Sequence, residues 1–263
     1  YEKAQAQFGV ISSIASLTVL FVFWFMGGFG WVDGLVNSWG LGPIATGLCF
    51  IGIIYLGSWV ASLPFDLYHT FVLEERFGFN KTTPATYIAD QIKSHLLTAL
   101  LGGGIVALIL WIFQSVPNAW IWAWLSFTVI SLALTYLAPS FLLPIFNKFT
   151  PLENDELNQA IQNMAKKCEF PLTEISVMDG SKRSSKSNAF FTGFGKRKKI
   201  ALFDTLIESQ TTDELVGVLA HEIGHFKRKH IVQRLVISIV QTAVIFFLLG
   251  IATDPESSFG SSL

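Results

Sequence analysis

Long stretches without a charged side chain alternate with shorter polar segments, and the two textures imply different surroundings. Five apolar runs approach or reach the length that a bilayer crossing needs, about 20 residues. They cover residues 8–29, 41–63, 96–113, 120–143 and 235–251. The second stops at Pro64, Gly102 to Gly104 interrupt the third, and Pro139 and Pro144 lie near the end of the fourth. One such run would suit a buried core helix; five predict a multi-pass membrane protein. The first is too long for a secretory leader, and no small-residue cleavage site follows it.

Between residues 147 and 230 the pattern changes to that of an α+β segment. Thr150-Pro151-Leu152-Glu153 has the form of a capping box and predicts a helix opening there. Leu157, Ile161, Met164 and Ala165 then recur at helical spacing, and Pro171 marks the end. Short strands are expected at 174–178, 188–194 and 200–203, with a basic turn at 195–199 between the last two. Thr211-Thr212-Asp213-Glu214 offers a second capping box, from which a helix is expected to run through His230.

Composition agrees with a membrane setting. Residues are 51% hydrophobic and 14% charged, against about 25% charged in soluble domains. A net charge of −1 supplies no field for a polyanion, so nucleic acid is not expected as a partner. Cys49 and Cys168 are too few for a disulfide scaffold and read as free thiols. Of 18 Lys and Arg residues, 13 fall between Asn147 and His230. The non-spanning segments alternate in charge. Lys3, the 64–95 loop and the 147–234 segment are basic, whereas 32–40, 114–119 and the tail after 251 contain no Lys or Arg. This alternation predicts that the N-terminus, the 64–95 loop and the large segment face the cytosol. Three domains follow: 1–146 with four spans, 147–230 as a cytosolic segment, and 231–263 with the fifth span and a tail.

The chemistry concentrates in His221-Glu222-Ile223-Gly224-His225. Residues four apart on a helix share a face, so His221 and His225 can hold one Zn²⁺. Glu222 flanks the metal and is placed to accept a proton from water and pass it to a leaving amine. Gly224 leaves room beside that face. His230, five residues on, turns away from it. Lys227, Arg228 and Lys229 read as an interfacial anchor before the last span. The strand led by Asn188 and Ala189 is a candidate to hold substrate as an added strand, with Asn188 donating to a developing oxyanion.

Five motifs together resemble one family. They are Glu74-Glu75-Arg76-Phe77-Gly78-Phe79-Asn80-Lys81, Pro144-Ile145-Phe146-Asn147-Lys148-Phe149-Thr150-Pro151-Leu152, Asp179-Gly180-Ser181-Lys182-Arg183-Ser184-Ser185 with Ser187-Asn188-Ala189, Leu202-Phe203-Asp204-Thr205-Leu206, and the His-Glu-x-x-His run itself. The chain is similar to the Ste24-type CAAX prenyl proteases of the Ste24 and HtpX group of zinc metallopeptidases. The resemblance implies a mainly α, polytopic protein whose helices wall a chamber, with a gluzincin-like α+β protease segment. It also implies one Zn²⁺, ligated by His221, His225 and a downstream glutamate, with Glu222 as base and Asn188 and Ala189 near the substrate. The implied reaction removes the last three residues of prenylated Cys-a-a-X termini. It would take place in the endoplasmic reticulum membrane of a eukaryote or the inner membrane of a bacterium.

The chain departs from that family pattern in places. Five spans are found where seven are expected, and the N-terminus looks shortened. Glu256, the only glutamate after His225, follows a membrane crossing and sits in Asp-Pro-Glu-Ser-Ser. The natural chain is therefore expected to extend beyond both ends, with the third ligand a glutamate past Leu263. Lys186 stands where histidine is expected in many relatives. A quality-control membrane protease of the HtpX kind is the alternative within the class. A transporter with a metal site is the alternative outside it, but it would place ionisable groups inside the spans, which are almost uncharged. Intact His221, Glu222 and His225 oppose an inactive scaffold.

Overall fold

A backbone surrounded by hydrocarbon must satisfy its N–H and C=O groups internally, so apolar runs of this length become helices. The computed structural model describes residues 1–192, 198–227 and 230–253, with the backbone alone for 225–227 and 230–232. The chain forms two compact units, Tyr1–Gln114 and Ser115–Leu263. The second unit therefore takes in the fourth and fifth apolar helices together with the sheet, a grouping that differs from the sequence division at 146.

In the first unit α1 (Glu2–Phe25), α2 (Gly28–Asn37), α3 (Pro43–Tyr68), α4 (Pro84–Leu97) and α5 (Gly103–Ser115) follow in order. Gly27 adopts φ 75°, left-handed backbone that glycine accepts without a Cβ penalty, and so cuts the run 8–29. The expected loop at 32–40 is largely helix instead: α2 buries Val32 and Val36. Pro64 does not end the second crossing. The helix passes through it, leaving the carbonyl four residues earlier without its helical partner, and continues as a π-helical turn, His69–Glu74. The triple glycine likewise leaves the third crossing unbroken, since a π turn at Thr98–Gly102 joins α4 to α5. The expected 64–95 loop thus shrinks to the stretch between Glu74 and Pro84. There the Thr83 side chain accepts the Thr86 N–H and caps α4.

Among the described residues five helices are long and apolar enough to cross a membrane: Glu2–Phe25, Pro43–Glu74, Pro84–Ser115, Ala119–Phe141 and Gln233–Thr253. At about 1.5 Å per residue, the two 32-residue helices exceed a hydrocarbon core of about 30 Å and project past it. Neither α1 nor α3 has a buried residue. Apolar helices with no protein around them in water would be unstable; in a bilayer, lipid covers them.

The second unit continues with α6 (Ala119–Phe141), α7 (Leu143–Phe146), β1 (Phe149–Pro151), α8 (Asp155–Lys167), β2 (Leu172–Met178), β3 (Ala189–Thr192), β4 (Lys198–Phe203), α9 (Asp204–Ser209), α10 (Thr212–Lys227) and α11 (His230–Thr253). Helices α6 and α11 pack through Trp120 on Phe247 and Phe127 on Phe246, and Trp124 Nε1 donates to the Ile239 carbonyl at 3.2 Å. The sheet order is β1-β2-β4-β3, with β2 and β4 parallel and the outer pairs antiparallel. Helices α8 and α10 supply Leu157, Ile161, Met164, Leu215, Leu219 and Ile223 to a core shared with Ile175, Ile200 and Leu202 of the sheet. Each fully buried aliphatic side chain stabilises this unit by about 1.5–3 kcal/mol.

Two further expectations change. Thr150 and Pro151 do not open α8; they pair as β1 with Val177 and Ser176. The helix starts later, where the Asn154 side chain accepts the Leu157 N–H at 3.0 Å. Lys198 and Lys199, expected in a turn, belong to β4. The rest of that turn, residues 195–197, lies outside the described residues, as do Gly193 and Phe194, the positions 228–229 of the basic anchor and the tail after 253. Both cysteines are free.

Candidate active site

The helix that bears the motif is fixed at its start by the capping box. The Thr211 backbone N–H and hydroxyl both donate to Glu214 Oε2, at 2.9 and 2.8 Å, and the Glu214 N–H donates back to Thr211 Oγ1 at 3.4 Å. These bonds hold the Glu214 carboxyl below its ordinary value of 4.5. A depressed carboxyl contributes stability that is complete above its unfolded pKa and is lost as pH falls through the folded one. Amide protection in the first turn of α10 is therefore expected to persist at neutral pH and to fade in acid below 4.5. Thr211→Ala should show the faded state already at pH 7 when amide exchange is measured. Equal protection in both proteins at pH 7 would remove the box from the account.

Helical periodicity then divides α10 into two faces. Leu215, Leu219 and Ile223 point into the core. His221 and the neighbouring Gly217 and Gly224 are exposed on the opposite side. Glu222 lies between the faces and is half-buried. A Cβ added at Gly217 or Gly224 would meet nothing within 4 Å, so the space beside His221 is open. His225 follows one turn after His221 on unbroken helical backbone, while its side chain lies outside the described set. The donor chemistry fits a borderline-soft divalent ion, since two imidazoles one turn apart on an open face are the pattern that zinc accepts. Among the described residues no group of three or more His, Cys, Asp or Glu side chains is placed to hold a metal.

The strand expected to meet substrate forms one edge of the sheet. Strand β3 pairs with β4 along one side, from Ala189 opposite Leu202 to Thr192 opposite Lys199. Its other side has no strand partner among the described residues. Ala189 and Phe191 pack onto the core that also receives Leu215, Leu219 and Ile223, so β3 and α10 are braced by the same side chains. Asn188 is exposed just before β3. Its carbonyl accepts the Phe203 N–H at 3.0 Å, and its side-chain oxygen accepts the Ala189 N–H at 2.9 Å. That leaves the amide NH₂ as the outward donor.

A network that sequence reading did not assign holds the approach to β3. Asp179 Oδ1 accepts the Lys148 N–H at 2.7 Å. Arg183 donates to Asn147 Oδ1 at 3.0 Å and to the Phe146 carbonyl at 2.7 Å. Asp204 accepts the Ser181 N–H at 2.8 Å and the Ser181 hydroxyl as well. The Thr205 hydroxyl donates to the Lys186 carbonyl at 3.1 Å, and the Ser187 hydroxyl donates to the Thr205 carbonyl at 3.2 Å. Gly180 lies against the Phe203 ring, where a Cβ would come within 2.4 Å. The available signal was indirect: all these side chains fall inside the motifs that carry the family resemblance. At the opposite end of β4, Lys198 is buried, 6% exposed, and desolvation pushes its ammonium down from 10.5.

Comparison with known proteins covers both parts of the chain. Residues 1–148 match the family described as "CAAX prenyl protease N-terminal, five membrane helices", and residues 151–262 match "Peptidase family M48". The CAAX prenyl protease 1 of Saccharomyces cerevisiae is 41% identical over 94% of this chain and 57% of its own length. The CAAX prenyl protease 1 homologs of Arabidopsis thaliana and Homo sapiens are 42% and 34% identical, over 83% and 84% of this chain and 52% and 55% of theirs. The chain thus spans about half the length of the curated relatives it matches. The crystal structure of S. mikatae Ste24p superimposes with a TM-score of 0.91 at 40% identity, covering 100% of this chain and 62% of that one.

Proposed function

Because the chain belongs to peptidase family M48, with the CAAX prenyl protease membrane segment as its N-terminal part, we propose that it is a membrane zinc endopeptidase removing the aaX tripeptide from prenylated C-termini. The observation that carries this reading is the intact His221-Glu222-x-x-His225 run on α10, with His221 on the open face of that helix, in a chain of that family. His221 and His225 would hold the metal. Zinc, when bound, supplies Lewis acidity that brings a coordinated water's pKa toward neutrality.

The chain's own groups do the rest. The extended peptide adds to the outer edge of β3, where backbone N–H and C=O groups are available for main-chain pairing. Glu222 takes a proton as water attacks the scissile carbonyl and later delivers it to the leaving amine. The Asn188 amide donates to the carbonyl oxygen as charge develops there, and Ala189 begins the strand that aligns the backbone. The matched relatives favour neither the HtpX-like quality-control role nor a transporter.

The test is cleavage of paired C-terminal peptides, prenylated and unprenylated, by the purified full-length natural protein in lipid vesicles. The expected product is a released tripeptide, formed preferentially from the prenylated substrate. Activity should disappear with a chelator and return with added zinc. Chelator-resistant cleavage, or none of either peptide, would overturn the assignment. The orientation proposed from the charge alternation puts residues 147–230 on the cytosolic side. Cysteine labelling of residues 35 and 190 from the same face of the membrane would reject it.

A further inference from the structure

Helices α1 and α3 are held together at two places and stand apart between them. Near one end, Phe8 of α1 stacks on Tyr68 with ring centroids 5.4 Å apart, and it meets Phe65 at 6.5 Å and His69 at 5.8 Å. Near the other, Phe23 and Trp24 close edge-on against Phe29 at 5.0 and 6.3 Å, and α2, which carries Phe29, packs on α3. With a rise of about 1.5 Å per residue, the two clamps lie about 22 Å apart along α1. Between them is a cavity of about 760 Å³. Protein interiors leave few voids larger than a water molecule. This one has the volume of a ligand pocket, about 300–1,000 Å³.

The lining comes from α1, α2 and α3 and includes no Asp, Glu, Lys, Arg or His. Its α1 wall, from Ala15 to Phe23, lies within the uncharged run 8–29, and its α3 wall starts at Ile53 and reaches the end of the run 41–63. The cavity therefore stands at hydrocarbon depth. Two of the hydroxyls that line it are already engaged. Tyr55 pairs with His95 Nδ1 at 2.7 Å, and Ser62 Oγ is shared between the Trp59 carbonyl and the Asp66 carboxylate at 3.0 and 3.2 Å. A polar group brought in by a ligand would lose water for little return, so the fitting occupant is a plain hydrocarbon chain. The bilayer supplies such chains all along α1, which has no buried residue. We propose that the cavity holds one acyl chain of a bilayer phospholipid, which fills the gap between the clamps and braces α1 against α3. This site belongs to the membrane helices and does not rest on the peptidase reading.

The experiment is native mass spectrometry of the purified full-length natural protein after detergent exchange. One phospholipid is expected to stay bound to each wild-type molecule. Gly57 lines the cavity on α3, where an added Cβ meets nothing within 4 Å, and Ala15 lines it on α1. Gly57→Leu and Ala15→Leu place a bulky side chain in the space from opposite walls, and leucine is a good helix former. Each should lose the lipid. Gly52→Leu makes the same change on α3 outside the lining, where a Cβ is equally free, and should keep it. Phospholipid added back to delipidated protein should raise the melting temperature of the wild type more than that of Gly57→Leu, since a ligand of the folded state stabilises it by mass action. Absence of lipid from the wild type, equal retention in all three variants and the wild type, or equal loss in Gly52→Leu would overturn the proposal. So would equal melting shifts, a sterol in place of the phospholipid, or release of the lipid by a prenylated peptide, which would give the cavity to the substrate.

Discussion

Glu222→Gln is expected to lower kcat for peptide cleavage by about 10²–10⁴-fold while the zinc content stays at the wild-type level. The carboxylate follows directly after His221 and sits between the core face and the open face of α10, half-buried. It thus borders the metal-holding face without sharing it. Glutamine preserves volume and helix propensity, so packing around Ile223 should not change. What it removes is a group able to take a proton from water and give it to the leaving amine. Elemental analysis alongside single-turnover kinetics separates the two roles. If the variant lost its metal, Glu222 would be a ligand, and the assignment of the base would fail.

His221→Ala and His225→Ala are expected to lose both the metal and all cleavage, with a thermal stability matching that of the metal-stripped wild type. The reasoning is again positional. The helix is held by Leu215, Leu219 and Ile223 on the side away from His221. Alanine is the best helix former, so truncation on the open face leaves α10 in place. Zinc itself should contribute stability by mass action, and the variants lose that increment alone. Measured zinc at wild-type occupancy in either variant would contradict the two-histidine site.

Some of this architecture could be read directly from the residues, and the failures have common causes. The buried stripe of α8, Leu157, Ile161, Met164 and Ala165, follows from periodicity and is found buried. The start of that helix does not, because two capping sequences compete within a few residues. Backbone pairing of Thr150 and Pro151 with β2 commits the first of them to a strand, and Asn154 takes over as cap. In the membrane helices the difficulty is the reverse. Where every position is apolar, periodicity carries no information about ends. The break at Gly27 and the helix at Gly28–Asn37 therefore escape notice, and Pro64 reads as a stop although the helix passes through it. The His-Glu-x-x-His helix was legible because its capping box, core stripe and motif lie in register over one short segment. The Asp204 and Thr205 network was not, since its partners are 18 to 23 residues away in the chain.

The open side of β3 has a second consequence, for solubility outside the membrane enzyme. A strand carrying Phe190 and Phe191 with one unpaired edge among the described residues is a template for self-association as readily as for substrate. Two features restrain it. The strand is only four residues long, shorter than the six or seven that stack into stable cross-β. It is also bracketed in sequence by cations, Lys182, Arg183 and Lys186 before it and Lys196 to Lys199 after it. Such flanking charges act as gatekeepers, because stacking copies in register would bring like charges together at every rung.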